Sequence, residues 1–266
     1  MAYAYHENRL RYFEHQCRVT ADHVIPFIER SRDIPPNARV LEIGCGEAGV
    51  LKAFLDRGAS AVGVDRNATR LERGRQLLAG EIDRGRVTLL HRDALTLGED
   101  DEFVGTFDLI VLKDVIEHVD DRPTLFALMA RLLRPNGRVF LAFPPWQMPF
   151  GGHQQICRSR ALSRLPYFHL LPASTYEKIL RAFGEHPGRV SSLLATKSTG
   201  ISTSEFEALI ERCKYQTISK RLYLLNPMYS YRFGLKPVRQ AGWVARQSPW
   251  RDFVTTCAYY LVEPTK

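Results

Sequence analysis

The sequence predicts an α/β fold: a doubly wound, mostly parallel seven-stranded sheet with helices on both faces and a lid insertion after the fifth strand. Strand and helix signals alternate from residue 38 to residue 145, the pattern of βαβ units. The strands there are continuous apolar runs, as expected when both faces of a parallel sheet are covered. The alternation stops after Pro145 and resumes near residue 201. In such a fold, ligands sit at the carboxyl ends of the strands.

Residues 5–30 carry apolar side chains at helical spacing and read as one or two helices, closed by the turn Pro35-Pro36-Asn37. ARVLEIGCG is a β-rich run that breaks into a glycine loop, and EAGVLKAFLDRG is the helix after it. ASAVGVD, RVTLLHRD and FDLIVLKD read as the second, third and fourth strands, with the helix RNATRLERGRQLLAGEID between the second and third. RPTLFALMARLL is the next helix, with Pro123 in its first turn, where the missing N–H costs nothing. Arg134-Pro135-Asn136-Gly137 turns into the fifth strand, RVFLAFPP. TSEFEALIERCKY is a closing helix capped by Ser204 or Thr203. TISKRLYLLNP and FVTTCAYYLV are the last two strands, separated by an irregular stretch at 227–250. One domain is expected: an N-terminal helical region (1–37), a ligand-binding half (38–145), the lid insertion (146–200) and a closing part (201–266), with both irregular stretches covering one side of the sheet.

No apolar run approaches the ~20 residues that span a bilayer, and the N-terminus is too polar for a secretory signal. The five cysteines (Cys17, Cys45, Cys157, Cys213 and Cys257) are scattered and form no CxxC pair, which argues against a disulfide framework or a thiolate zinc site. A cytoplasmic protein is expected. The formal charge of +8 favours anionic partners, or reflects a solvated basic face.

LEIGCGEAG satisfies GxGxxG through Gly44, Gly46 and Gly49, where glycines allow a tight turn and let a ligand lie against backbone. Glu42 stands two positions before the first glycine and can reach the cationic end of a ligand. Asp65 ends the second strand, where a carboxylate can take both ribose hydroxyls, and Asp93 follows the third, where it can accept from an adenine amino group. Cys45, between the glycines, reads as a small residue with no redox role.

These residues resemble the motifs of class I S-adenosylmethionine-dependent methyltransferases, as do FDLIVLKDVIEHV and LRPNGRVFLAFP after them. The resemblance covers residues 38–145. It implies a Rossmann-like fold, S-adenosylmethionine as cofactor, and a cofactor site of Glu42, Gly44, Cys45, Gly46, Gly49, Asp65, Arg66, Asp93, Ala94 and Lys113. The competing reading is a nicotinamide-binding domain with Glu42 a mere strand-end carboxylate. The segments F-P-P-W…G-G-H-Q-Q and N-P-x-Y…F-G-L-K-P resemble uncharacterised type 11/12-like methyltransferases, which adds no chemistry.

Asp114, Glu117 and His118 share one face if the chain turns helically after the fourth strand. Two carboxylates and an imidazole suit a divalent cation, Mg²⁺ being favoured by oxygens and Zn²⁺ by nitrogen. The segment resembles the metal-binding E-x-x-E-H of ubiquinone-pathway O-methyltransferases and small-RNA 2′-O-methyltransferases, with Asp114 in place of a glutamate. In the latter group a downstream histidine completes the site, a part His153 could take. The other reading places Asp114 near the cofactor and gives Glu117 and His118 a loop-organising role. Without a metal, His153, between two glycines and two glutamines on an exposed, mobile loop, is a candidate base alongside Asp114 and His118. His6, His15 and His23 read as partly solvated, and His91, His169 and His186 have no spaced partner.

The two irregular stretches interleave Trp146, Phe150, Tyr167, Phe168, Tyr229, Tyr231, Phe233 and Trp243 with Arg158, Arg160, Arg164, Arg232, Lys236 and Arg239. Such a mixture suits an amphipathic ligand or a single-stranded nucleic acid, and part of it should form a core for the lid itself. The resemblance implies methyl transfer, read here as O-methylation of a small-molecule, lipid or glycan hydroxyl. RNA 2′-O-methylation is the alternative. A non-enzymatic cofactor-sensing subunit and a nicotinamide-dependent oxidoreductase are the readings from other classes.

Overall fold

Eight strands, one more than expected, form a single sheet in the computed structural model, which describes residues 8–265. The strands are β1 (Arg39–Ile43), β2 (Ser60–Asp65), β3 (Val87–His91), β4 (Phe107–Lys113), β5 (Leu133–Phe143), β6 (Tyr215–Leu225), β7 (Val238–Arg239) and β8 (Cys257–Pro264). Their order is β3-β2-β1-β4-β5-β8-β6-β7. The first five pair in parallel, and β8 lies antiparallel between β5 and β6. The unexpected strand, β7, is two exposed residues paired with the end of β6. Two residues are too few for any alternation to be legible in sequence.

Alternate residues of the central strands divide between two cores. Leu109 and Val111 of β4 pack on one face with Phe27 and Phe54. Ile110 and Leu112 pack on the other with Phe126 and Phe206. Covering the sheet are α1 (Arg9–Val19), which runs through a π-turn into α2 (Ile25–Glu29), α3 (Gly49–Leu55), α4 (Ala68–Leu77), α5 (Ala79–Asp83) and α6 (Arg122–Leu132). The expected single helix between β2 and β3 is therefore broken, at Leu78. The start of α6 is as read: Asp121 accepts from the Thr124 amide at 3.1 Å, and Pro123 sits in the first turn.

The insertion after β5 is more regular than its composition suggests. It holds α7 (Arg160–Arg164), α8 (Ala173–Ala182) and α9 (Pro187–Thr199) around a core of its own, including Leu162, Phe168, Tyr176, Leu180 and Leu193. His169 is fully buried there, with Nε2 donating to the Trp146 carbonyl at 2.6 Å, which corrects the reading of an unpartnered histidine. Its partner is a backbone carbonyl 23 residues away, invisible to any spacing rule. His186 accepts from the Gly188 amide at 3.2 Å and caps α9.

Beyond the insertion comes α10 (Thr203–Arg212), whose cap is Ser202 and not Thr203 or Ser204. Ser202 and Glu205 form a reciprocal capping box. Thr203 is used elsewhere: its amide and hydroxyl both donate to Asp252, at 2.8 and 2.5 Å. Arg251 donates to the Thr203 hydroxyl and to Glu207, and Glu207 also accepts from Tyr260. This network ties the second irregular stretch to α10. Asp252 is fully buried, so Asp252→Ala should strand the two Thr203 donors, while Arg251 keeps Glu207, and cost about 1–3 kcal/mol. Urea unfolding measures this; a loss under about 1 kcal/mol would mean the network is dispensable.

That stretch contains α11 (Met228–Phe233) and α12 (Gly242–Ala245). Tyr231 of α11 donates to Asp22 at 2.5 Å and packs its ring against His15 and His23. His15 is consequently buried, contrary to the solvated reading, because α11 docks on α1. His91 lies against the Arg66 carbonyl at 3.1 Å, and His6 falls outside the described residues. Among the described residues, no helix is long and apolar enough to cross a membrane.

Candidate active site

The glycine loop is held by its neighbours on every side. The amides of Gly44 and Cys45 donate to the Val64 carbonyl at 2.8 and 3.1 Å, bending the chain off β1 and across β2. Gly44 sits at φ +73°, and a Cβ there would meet Val115 at 2.5 Å, so only glycine fits. Asp65 accepts from the Gly46 amide at 2.8 Å with one oxygen and from the Asn67 amide at 2.7 Å with the other. Gly49 opens α3 with α1 directly against it, the Phe13 carbonyl lying 2.6 Å from where its Cβ would be. The Cys45 thiol is buried against Gly63. At the end of β3, Asp93 accepts from the Leu95 amide at 3.0 Å, opening the turn that begins at Ala94, and its carboxylate lies 3.8 Å from Arg66.

A cavity of about 750 Å³ opens beside this loop. Glu42, Gly44, Cys45, Gly46, Gly49, Lys113, Asp114, Glu117, His118 and His153 all line it. Asp65, Arg66, Asp93 and Ala94 are not in its wall; they stand at the ends of β2 and β3. Both irregular stretches contribute, the first through Met148, Phe150 and Ile156, the second through Met228, Tyr229, Arg232 and Phe233. Of the eight interleaved aromatics, only Phe150, Tyr229 and Phe233 reach the cavity. Phe168 belongs to the core of the insertion, Trp146 packs on His169, and Tyr231 packs on α1.

Sequence reasoning missed one wall. Tyr12, Phe13 and Gln16 of α1 line the cavity, as do Arg70 and the buried Glu47, whose carboxylate lies 3.3 Å from Arg9 and 3.6 Å from Arg70. Positions 12, 13 and 16 are on one helical face, but that spacing says only that the face is covered, not by what.

The cavity floor is electrostatically unusual. Burial drives the Glu42 carboxyl well above its ordinary range, although Lys113 pulls the other way. Lys113 is buried too, which opposes its charge, but Asp114 at 2.8 Å wins and raises it. Burial and then Asp114 push Glu117 up to about 8. Burial and then His153 push His118 down to about 4, and burial lowers His153 against the pull of Asp114.

Glu117, His118 and His153 bring one ligand atom each within 4.8 Å of one another. The two imidazoles meet edge to face, with centroids 4.8 Å apart. Asp114 is not part of this cluster, which corrects the expected set. The chain takes φ +57° at Asp114 and only then forms the short turn Ile116–His118, so the carboxylate leaves that face and pairs with Lys113. His153 is half-buried against His118 rather than exposed. Both Glu117 oxygens are buried without a hydrogen-bond partner, an arrangement that a cation would satisfy. Two imidazoles and one carboxylate fit a transition metal such as Zn²⁺ better than Mg²⁺, which prefers oxygens.

Residues 12–184 match the family model described as a methyltransferase domain. The chain belongs to that family. Among its relatives is an uncharacterized methyltransferase of Mycobacterium sp. (strain JLS), 30% identical over 64% of this chain and 66% of that protein. A ubiquinone biosynthesis O-methyltransferase of Pseudomonas aeruginosa (strain LESB58) is 33% identical over 39% of this chain and 43% of its own. The chain thus spans two thirds or less of the length of these relatives. The methyltransferase fold extends further than sequence likeness does. The geranyl diphosphate C-methyltransferase from Streptomyces coelicolor A3(2), solved with Mg²⁺, geranyl diphosphate and S-adenosyl-L-homocysteine, superposes with a TM-score of 0.56. That match covers 90% of this chain and 78% of the other at 15% identity.

Proposed function

We propose that this protein transfers the methyl group of S-adenosylmethionine to a hydroxyl of a small-molecule, lipid or glycan acceptor. One observation carries the reading: the glycine loop with Glu42 and the cluster of Glu117, His118 and His153 open into the same cavity. Methyl transfer from a sulfonium is an in-line displacement, so donor and acceptor must be held end to end in a shared space. Such alignment can supply of order 7–11 kcal/mol at best.

On the donor side, Asp65 takes the ribose hydroxyls and Asp93 the adenine amino group, with Arg66 and Ala94 flanking them. Gly44, Cys45, Gly46 and Gly49 let the cofactor lie against backbone. Glu42, with Lys113 and Asp114 beside it, faces its amino-acid end. On the acceptor side, the oxygen must lose a proton as the C–O bond forms. His118 and His153, whose basicity burial lowers, are the candidates to accept it where no metal occupies them. A divalent cation held by Glu117, His118 and His153 would supply Lewis-acid activation of the acceptor hydroxyl. The likeness to an O-methyltransferase supports oxygen as the acceptor atom.

RNA is the weaker reading, because among the six interleaved cations only Arg232 lines the cavity. The decisive experiment incubates the protein with radiolabelled S-adenosylmethionine and a cell extract, then separates RNA, protein, lipid, glycan and small-molecule pools. Label in a lipid, glycan or small-molecule pool, lost with His153→Ala, is expected. Label in RNA would select the alternative. Tight S-adenosylhomocysteine binding with no label anywhere would select the sensing subunit, and NADH binding without S-adenosylhomocysteine binding an oxidoreductase.

A further inference from the structure

The basic excess of this protein is confined to two stretches of its sequence. Residues 144–176 and 224–251, which contain the two stretches that wall the cavity, hold eight arginines and lysines and no aspartate or glutamate. The rest of the chain holds 29 basic and 29 acidic residues, so the whole formal charge of +8 resides in these two segments. Arg160, Arg164, Lys236 and Arg239 are exposed.

The same segments expose apolar side chains around the cavity mouth. Phe150, Phe233 and Leu235 line the cavity and are also exposed, so they form its rim. From Phe150 the apolar surface continues outward. The Tyr167 amide donates to the Pro149 carbonyl at 2.6 Å, the Tyr167 ring packs on Phe253, and Phe253 packs on Trp250, which is 70% exposed. Leu165, beside Tyr167, is exposed as well.

We propose that this face docks on an anionic lipid bilayer, with the cavity mouth against the membrane. Exposed tryptophan, phenylalanine and leucine on segments that carry arginines and lysines but no carboxylate match the chemistry of an interfacial membrane site. Each cation near an anionic surface adds up to about fivefold in affinity, less as salt rises. A single-stranded nucleic acid would use aromatic stacking and a basic groove. Here the rim also carries Leu235, and the wall behind it is Met148, Ile156 and Met228, surfaces that acyl chains fill and bases do not. Docking would let an amphipathic acceptor pass from the bilayer into the cavity. That delivery rests on the methyl-transfer reading, whereas the docking does not.

The test is co-sedimentation of the full chain with phosphatidylcholine vesicles, with and without phosphatidylglycerol, in the absence of any methyl donor. Binding to the anionic vesicles only, weakened by salt, is expected, with a blue shift of tryptophan emission. The Arg160→Glu/Arg164→Glu double variant and Trp250→Ser should each lower vesicle partition about tenfold. Both should keep wild-type S-adenosylhomocysteine affinity and thermal midpoint, which separates lost docking from misfolding. Failure of the wild type to bind either vesicle would overturn the proposal. So would preferential binding of single-stranded RNA that the charge reversal abolishes, or self-association in gel filtration that Trp250→Ser abolishes. Because no activity is read, the docking can fail while methyl transfer stands, and the reverse.

Discussion

Asp65→Ala should weaken S-adenosylhomocysteine binding by at least about a hundredfold, or ~2.7 kcal/mol. Two separate losses combine. The carboxylate now accepts from the amides of Gly46 and Asn67, and hydrogen bonds to a charged group contribute about 1.5–3 kcal/mol each. Without it, the glycine loop loses its tether to β2 just where the ligand must lie on backbone. The proposed contact to the ribose is lost as well. Isothermal titration with S-adenosylhomocysteine measures the sum, and a thermal melt of the ligand-free variant shows whether the fold survives. Affinity within threefold of wild type would remove Asp65 from the cofactor site. Asp65→Asn should fall between the two, since its amide can accept from one donor but not offer two charged oxygens.

Glu117→Ala is the second large effect, and its two signs oppose each other. In the metal-free protein the variant should be as stable as the wild type or more so, because it removes a buried carboxyl with no hydrogen-bond partner. The folded-state value of about 8 lies above the ordinary 4.5, so Glu117 favours the folded chain least at high pH. That cost is absent well below pH 4.5, grows as pH rises, and is complete above about 8. With Zn²⁺ the order should invert. The wild-type melting temperature should rise on addition of metal, by more at pH 8 than at pH 6, since a bound cation must displace the proton of Glu117. Glu117→Ala should lose that stabilisation, with metal affinity falling at least about a hundredfold, beyond the 10–100-fold typical of outer-shell changes. A wild-type melt indifferent to Zn²⁺ and Mn²⁺ at pH 8 would remove the metal and leave His153 as the proton acceptor. Differential scanning fluorimetry decides this without any acceptor in hand.

The particular residues that sequence reading placed well share a property: their neighbours in space are set by neighbours in sequence. Gly44 and Gly46 turn the chain within a few bonds of β1, and Asp65 follows β2 because a strand of six residues ends there. The parallel order of the first five strands follows from βαβ periodicity in the same way. One local signal was present but misread, since Ser202 and Glu205 spell the capping box that Thr203 and Ser204 do not.

What sequence by itself determined, then, is the glycine loop, the carboxylates at the strand ends and the sheet that carries them, because strand period, glycine turns and helix caps act over a few residues. Tertiary structure alone decided the opposite side of the cavity. Whether Asp114 joins Glu117 and His118 depended on a single backbone angle of +57°, which aspartate tolerates but does not dictate. Whether His153 meets His118 depended on how a helical insertion with its own core folds back over the turn Ile116–His118, 35 residues away along the chain. The wall made by Tyr12 and Gln16 exists only because Gly49 lacks a side chain that would push α1 off the loop. Such contacts depend on packing between distant elements, and packing responds to the whole fold rather than to any spacing within it.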